Sequence, residues 1–253
     1  MQRVDTPEIL DSNDCPPAEV AASLRDISRI NRWFGGVATT RKMVERVASV
    51  TKQRNFTVLE VAAGFGEVPK IAARQLARKG ITIDVTHLDL KFSHLLPENR
   101  SVVADALALP FRNNAFDLVS CSLFAHHLAP VELARFGTEA FRVCRRAVLI
   151  NDLMRHPAHL ALVYAGFPLM HSYVSRNDGV ASVRRAYIPE EMRRILSSDA
   201  EPARNIEIVR HFLFRMGVIL WKTPATRGRA EMGAETTTAF PVSETAARSR
   251  SAR

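Results

Sequence analysis

Cysteine is scarce in this chain of 253 residues: Cys15, Cys121 and Cys144 are all there is. They are odd in number and widely spaced, with no CxxC pair and no Cys/His cluster of zinc-ligand spacing, which argues against a disulfide scaffold or a small zinc module. A reducing compartment, the cytoplasm, is the expected location. Lysine is scarce too, six against 29 arginines. No uninterrupted apolar run reaches the roughly 20 residues that cross a bilayer as a helix. The stretch 160–173 comes nearest, but it is too short and holds Pro168 and His171. The start, Met1-Gln2-Arg3-Val4-Asp5, lacks a basic segment followed by an apolar one, so no secretory signal is expected. No internal repeat is apparent.

What is present is a hydrophobic content of 47%, enough with this length for one substantial core plus extensions. The net charge of +9 is unevenly spread. Residues 1–22 are acidic, with Arg3 against Asp5, Glu8, Asp11, Asp14 and Glu19, and the basic excess lies in the body of the chain. Such a surface attracts anionic substrates, lipid headgroups or nucleic acid. Arginine preference and abundant alanine can also arise from coding bias. With no strip of interleaved basic and aromatic residues, nucleic acid is a minor expectation.

Along the chain, residues 1–17 read as a flexible leader ending at Pro16-Pro17. Residues 18–222 read as one domain, and the Thr-, Ala-, Ser- and Arg-rich stretch 223–253 as a disordered basic tail. Val20, Leu24, Ile27 and Ile30 recur at helical spacing and run to Gly35-Gly36, and a second helix carries Val37, Met43, Val44, Val47 and Val50. Strands are then expected at 56–61, 81–88, 101–104, 115–122 and 147–151, alternating with helices, of which 130–144 opens on proline. The apolar segments 206–212 and 214–221 are so close that only a hairpin joins them. The expected fold is α/β: a doubly wound, seven-stranded, mostly parallel sheet with an antiparallel C-terminal hairpin, in three layers. About fifty residues, 153–203, separate the fifth strand from the hairpin and read as a lid.

Gly64-Phe65-Gly66 stands between an apolar strand and a helix, where glycines let a nucleotide approach backbone N–H groups. Two glycines alone fit several nucleotide folds. The dinucleotide fingerprint needs a small third residue where this chain has Pro69, which counts against NAD or FAD. Asp89 ends the second strand 23 residues past Gly66, near the offset at which a carboxylate meets ribose hydroxyls, although an acid there also caps turns.

The segment Val58-Leu59-Glu60-Val61-Ala62-Ala63-Gly64-Phe65-Gly66 resembles the first motif of class I S-adenosylmethionine-dependent methyltransferases, an acid in strand one followed by a Gly-x-Gly-x-Gly loop. Ala62 departs from that pattern by replacing the first glycine. Asp105-Ala106-Leu107-Ala108-Leu109-Pro110-Phe111 is similar to the family's Asp-Ala-x-x-Leu-Pro-Phe segment, and Phe116–Ser122 followed by Ala125-His126-His127-Leu128 looks like its fourth strand and the turn beyond. The Leu-Pro-Phe and His-His features look most like the branch that methylates quinone precursors and other small metabolites.

The resemblance implies S-adenosylmethionine held by Glu60, Ala62, Gly64, Gly66, Asp89, Leu90, Asp105, Ala106 and Ser122, with Asp105 and the Ala106 N–H at the adenine. It also implies methyl transfer to a small aromatic or lipid-like oxygen or carbon nucleophile. An Asn-Pro-Pro-Tyr motif, the mark of amide-nitrogen methylation, is absent. His126 or His127 could serve as a base for a phenol, His126 being the better placed. One histidine packing in the core while the other caps the next helix is the competing expectation. Arg184, Arg185 and Tyr187 are candidates for gripping the acceptor from the lid, unless they form a solvated basic turn. No metal is expected: Asn151-Asp152 sits where catechol methyltransferases place ligands, but Leu123-Phe124-Ala125 supplies no acid after strand four. An RNA methyltransferase and a non-catalytic protein of the same fold remain as rivals.

Overall fold

The structure, a computed structural model, describes residues 1–11, 15–197 and 205–222. Seven strands form one sheet: β1 (Asn55–Val61), β2 (Thr82–Asp89), β3 (Ser101–Val103), β4 (Phe116–Ser122), β5 (Cys144–Leu153), β6 (Asn205–His211) and β7 (Arg215–Trp221). Their order is β3-β2-β1-β4-β5-β7-β6, with β7 antiparallel to both β5 and β6 and the remaining pairs parallel. The helices are α1 (Pro17–Trp33), α2 (Gly36–Thr51), α3 (Glu67–Ala77), α4 (Pro130–Val143), α5 (Pro157–Gly166), α6 (Tyr173–Arg185) and α7 (Pro189–Ser197).

The central strands are apolar on both faces because both faces are covered. Val58, Leu118, Leu149 and Ile219 pack against Met43, Val44 and Val47 of α2 and Leu76 of α3. Their sequence neighbours Leu59, Val119, Ile150 and Leu220 point the other way, into Leu133, Phe136 and Ala140 of α4 and Met192 and Leu196 of α7. Each such side chain contributes about 1.5–3 kcal/mol by leaving water. The three-layer sheet expected from the sequence is therefore the one observed.

The chain runs outward from β1 through β2 to β3, then returns to β4 beside β1. The carboxyl ends of β1 and β4 thus diverge, leaving the crevice at which ligands enter such sheets. A 3-10 turn, Ala125–His127, follows β4 at that edge.

Two expectations are corrected. β5 starts at Cys144 and extends to Leu153, because its pairing with β7 reaches Leu153↔Arg215. Ladder hydrogen bonds set that boundary, and hydrophobicity does not report it: Arg145 and Arg146 turn outward to Asp117 and Gln53.

The larger correction concerns the leader. Residues 1–11 are not free but docked on the domain. Arg3 Nε donates to the Arg185 carbonyl at 2.7 Å and Val4 N–H to the Arg184 carbonyl at 3.1 Å. Met1 O accepts from Arg155 Nε, and the N–H groups of Ile9 and Leu10 both donate to Asp178 of α6. The expected tail 223–253 lies outside the described residues. No helix among the described residues is long and apolar enough to cross a membrane.

Candidate active site

The loop leaving β1 is built from left-handed backbone. Ala62, Gly64 and Gly66 have φ of +52°, +52° and +69°, three such residues in five before α3 begins. Glycine reaches this region freely, whereas an alanine there is strained by roughly 1 kcal/mol. The loop is held from both sides: Ala63 N–H donates to the Leu88 carbonyl at 3.0 Å and Gly66 N–H to the Ala63 carbonyl at 2.9 Å. Gly66 has a second reason to lack a side chain, because a Cβ there would overlap the His87 ring of β2.

Asp89, at the end of β2, comes alongside this loop as its spacing suggested. Its Oδ2 accepts from Gly64 N–H at 3.0 Å, and its Oδ1 accepts from Lys91 N–H at 3.1 Å and lies 3.3 Å from His94 Nδ1. Burial pushes the carboxyl pKa up, but His94 and the two backbone donors outweigh it and hold it below the ordinary value. An ionised acceptor therefore stands at the mouth of the glycine loop. Directly beyond, Leu90 and Phe92 are 68% and 78% exposed, an open apolar face at the carboxyl edge of the sheet. Asp105 is exposed, its Oδ1 accepting from Leu107 N–H, and Ala106 is buried next to it.

Glu60 lies in β1 in register with Ser120 of β4. Its carboxyl group is buried, and that desolvation lifts its pKa to about 7 against the opposing effect of the Ser120 and Ser122 hydroxyls. A cleft of about 470 Å³ opens between α1 and the glycine loop, lined among others by Arg25, Arg29, Arg32, Phe65, Glu67 and His171.

His126 and His127 occupy the 3-10 turn after β4, but neither caps α4. Its first free N–H, on Ala129, donates instead to Glu132 Oε2 at 2.7 Å. His126 is buried and doubly fixed by Asp152 of β5: its backbone N–H donates to Oδ2 at 2.9 Å, and Nδ1 lies 2.7 Å from Oδ1. Its other nitrogen, Nε2, faces Glu8 Oε1 at 3.4 Å, and His127 Nε2 faces Glu8 Oε2 at 3.5 Å. Burial opposes a charged imidazole here, yet Asp152 and Glu8 outweigh it and raise the His126 pKa to about 10. With Glu8 in place, His126 is not the neutral base that the sequence suggested.

The three candidate acceptor residues do not form one grip. Arg184 is exposed, on a cleft of about 360 Å³ with Thr6, Tyr164, Phe167 and Arg176. Arg185 and Tyr187 point elsewhere and are buried: Arg185 Nη2 donates to the His127 carbonyl while its Nε pairs with Asp5, and the Tyr187 hydroxyl donates to the Leu128 carbonyl at 2.7 Å. Arg3 lies over the Tyr187 ring, and burial raises the phenol pKa to about 12. Glu8 and the contact of Asp152 with His126 were absent from the sequence reading. The only local hint was Ile9-Leu10, two apolar residues in an acidic leader.

Residues 59–150 match the family model of the methyltransferase domain. The match runs from β1 into β5 and takes in the glycine loop, Asp89, Asp105 and the turn after β4. No curated protein matches the sequence. Among solved structures, a SAM-dependent methyltransferase from Aquifex aeolicus is 16% identical, covering 83% of this chain and 100% of that one, with a TM-score of 0.54. The plantazolicin methyltransferase BpumL, solved with a triazolic desmethylPZN analog and SAH, is 12% identical over 82% of this chain and 92% of its own, with a TM-score of 0.61. At these identities the likeness is one of fold, over about four-fifths of this chain.

Proposed function

We propose that this protein transfers the methyl group of S-adenosylmethionine to a small aromatic or lipid-like acceptor through an oxygen or carbon nucleophile. The observation that carries this reading is the meeting of the strained glycine loop with ionised Asp89 at the carboxyl edge of β1 and β2. The matched methyltransferase domain and the SAH-bound neighbour of the same fold support it.

In this assignment Asp89 accepts from the ribose hydroxyls, exposed Leu90 covers one face of the adenine, and Asp105 with the Ala106 N–H meets the adenine edge. Gly64 and Gly66 bring backbone N–H groups close, while Glu60 and Ser122 lie beneath the aminoacid end. The Ala62 methyl narrows the same passage. S-adenosylmethionine supplies an activated methyl group on sulfonium, so the chain's task is alignment and exclusion of water. The S–CH3 bond breaks as the new bond to the nucleophile forms, and an acceptor proton, where there is one, passes to solvent or a nearby base. His126, paired on both sides, holds the turn after β4 in the docked form. The quinone-precursor branch is retained as the nearest acceptor class, carried by the Leu-Pro-Phe segment and the His-His pair.

Calorimetric titration with S-adenosylmethionine tests the assignment. Saturable binding, weakened in Asp89→Ala, is the expected outcome. Absence of binding at millimolar cofactor would overturn it. Binding without release of S-adenosylhomocysteine in the presence of candidate phenols would favour the non-catalytic rival.

A further inference from the structure

Glu8, His126 and His127 bring three potential ligand atoms within 4.8 Å of one another, the one such cluster among the described residues. From their geometry we infer a zinc-type divalent metal site that ties the docked N-terminal segment to the turn after β4. Nothing in the proposed methyl transfer requires it.

The spacing favours a metal over hydrogen bonds. Nitrogen-to-oxygen hydrogen bonds fall at roughly 2.7–3.2 Å. The two Glu8–His separations are 3.4 and 3.5 Å. Two ligand atoms each roughly 2.05 Å from a tetrahedral zinc stand about 3.3 Å apart; each Glu8 oxygen already stands near that distance from one histidine nitrogen, and one ligand atom from each of the three residues lies within 4.8 Å of the others. His126 Nε2 is buried, makes no hydrogen bond and points at the Glu8 carboxylate. Nε2 meets that carboxylate either as the N–H of an imidazolium or through a bound cation, and 3.4 Å is long for the first. The surroundings have the form of a metal's outer shell. Asp152 holds Nδ1 of His126 at 2.7 Å, the carboxylate–histidine arrangement that fixes the ring and leaves Nε2 to ligate. Ser182 Oγ donates to Glu8 Oε1 at 2.7 Å and orients that carboxylate. Two cations stand nearby: Arg185 is paired with Asp5 at 3.1 Å, which reduces its repulsion of an added charge, and Arg3 donates to the His126 carbonyl at 3.2 Å and the Leu128 carbonyl at 3.2 Å.

Two histidines and one carboxylate form a donor set that zinc accepts with its fourth position left to water or another oxygen. Ferrous iron takes the same set in octahedral geometry, with cis ligand atoms roughly 3.0 Å apart, which fits the observed separations less well. The expectation that no metal binds came from the loop following β4 and from Asn151-Asp152. It did not include Glu8, which reaches the site from far along the chain.

The test uses the full chain, stripped with chelator and titrated with Zn2+ by calorimetry and against a chromophoric chelator. We expect one ion per chain, bound at micromolar concentration or tighter. Glu8→Ala and His127→Ala each weaken it at least about 100-fold, and Asp152→Asn about 10- to 100-fold. Hydrogen exchange of residues 1–11 slows when zinc is added to the wild-type chain and does not change in Glu8→Ala. Co2+ gives the intense visible absorption of a tetrahedral site. Thermal melts and S-adenosylmethionine titrations of the variants show whether each remains folded, separately from metal uptake. Failure to bind zinc stoichiometrically, or wild-type affinity in both alanine variants, overturns the inference and leaves a proton as the only cation there. A weak, octahedral cobalt spectrum overturns the zinc geometry.

Discussion

Gly66 and His87 are in contact across the loop that leaves β1: the glycine has no side chain where the imidazole lies, and its φ of +69° would strain any residue that had one. Gly66→Ala is therefore expected to destabilise the protein by about 2 kcal/mol, from backbone strain and overlap together. Because the loop must shift to accommodate the methyl group, affinity for S-adenosylmethionine should also fall by more than tenfold. Chemical denaturation and calorimetry on the purified variant measure the two effects separately.

Glu60 gives a pH dependence whose sign can be fixed. Its folded pKa of about 7 lies above the ordinary 4.5, so the folded state holds a proton that the unfolded chain releases. Stability contributed by the neutral acid is fully present below about pH 4.5 and is lost as pH rises to about 7. The loss amounts to about 3 kcal/mol for such a shift. Affinity for S-adenosylmethionine should move the other way over that interval, since the charged carboxylate favours the cofactor's ammonium. Glu60→Gln should flatten both slopes, and a variant retaining the wild-type profile would remove Glu60 from the account.

Asp89→Asn keeps the shape of the side chain and removes its charge. Hydrogen bonds from Gly64 and Lys91 N–H to an ionised acceptor are worth more than those to an amide, so the loop should loosen. We expect roughly tenfold weaker S-adenosylmethionine binding and a lower melting temperature. If binding stays at the wild-type level, the ribose assignment fails.

Ala62→Gly acts through two opposing terms. Relief of strain at φ +52° stabilises the folded loop, while glycine loosens the unfolded chain by a similar amount. Stability should change by less than about 1 kcal/mol, and cofactor affinity should rise severalfold as the methyl group leaves the passage. Unchanged affinity would show that Ala62 does not border the cofactor.

Tyr187→Phe separates structure from acceptor binding. The variant loses the bond to the Leu128 carbonyl, which keeps Arg3 Nη2 as a donor at 3.2 Å, so the cost is about 0.5–1.5 kcal/mol. Cofactor affinity and the Michaelis constant for a working acceptor should not change. A large rise in that Michaelis constant alone would return Tyr187 to the acceptor site.

The sheet was legible because each central strand repeats a local rule. Val58 and Leu59, Leu118 and Val119, and Leu149 and Ile150 are apolar in pairs, and pairs mean two covered faces. The cofactor loop was legible for a related reason: its glycines, Glu60 and Asp89 lie at spacings that the strand–loop–helix unit fixes. Glu8 was not. Its partners are more than a hundred positions away, and in a polar leader a carboxylate that becomes buried looks like one that stays in water. The burial of Arg185 and Tyr187 was hidden similarly, since it depends on Arg3, Asp5 and the Leu128 carbonyl. Secondary-structure periodicity says nothing about any of these.

The docking of residues 1–11 has a consequence in time. Arg3 meets Arg185 across 182 positions and Glu8 meets Ser182 across 174, so residues 1–11 leave the ribosome long before these partners exist and are among the last to find their place. Until α6 has been synthesised and packed, Asp5 lacks Arg185 and Glu8 lacks Ser182, so the segment is held only in part.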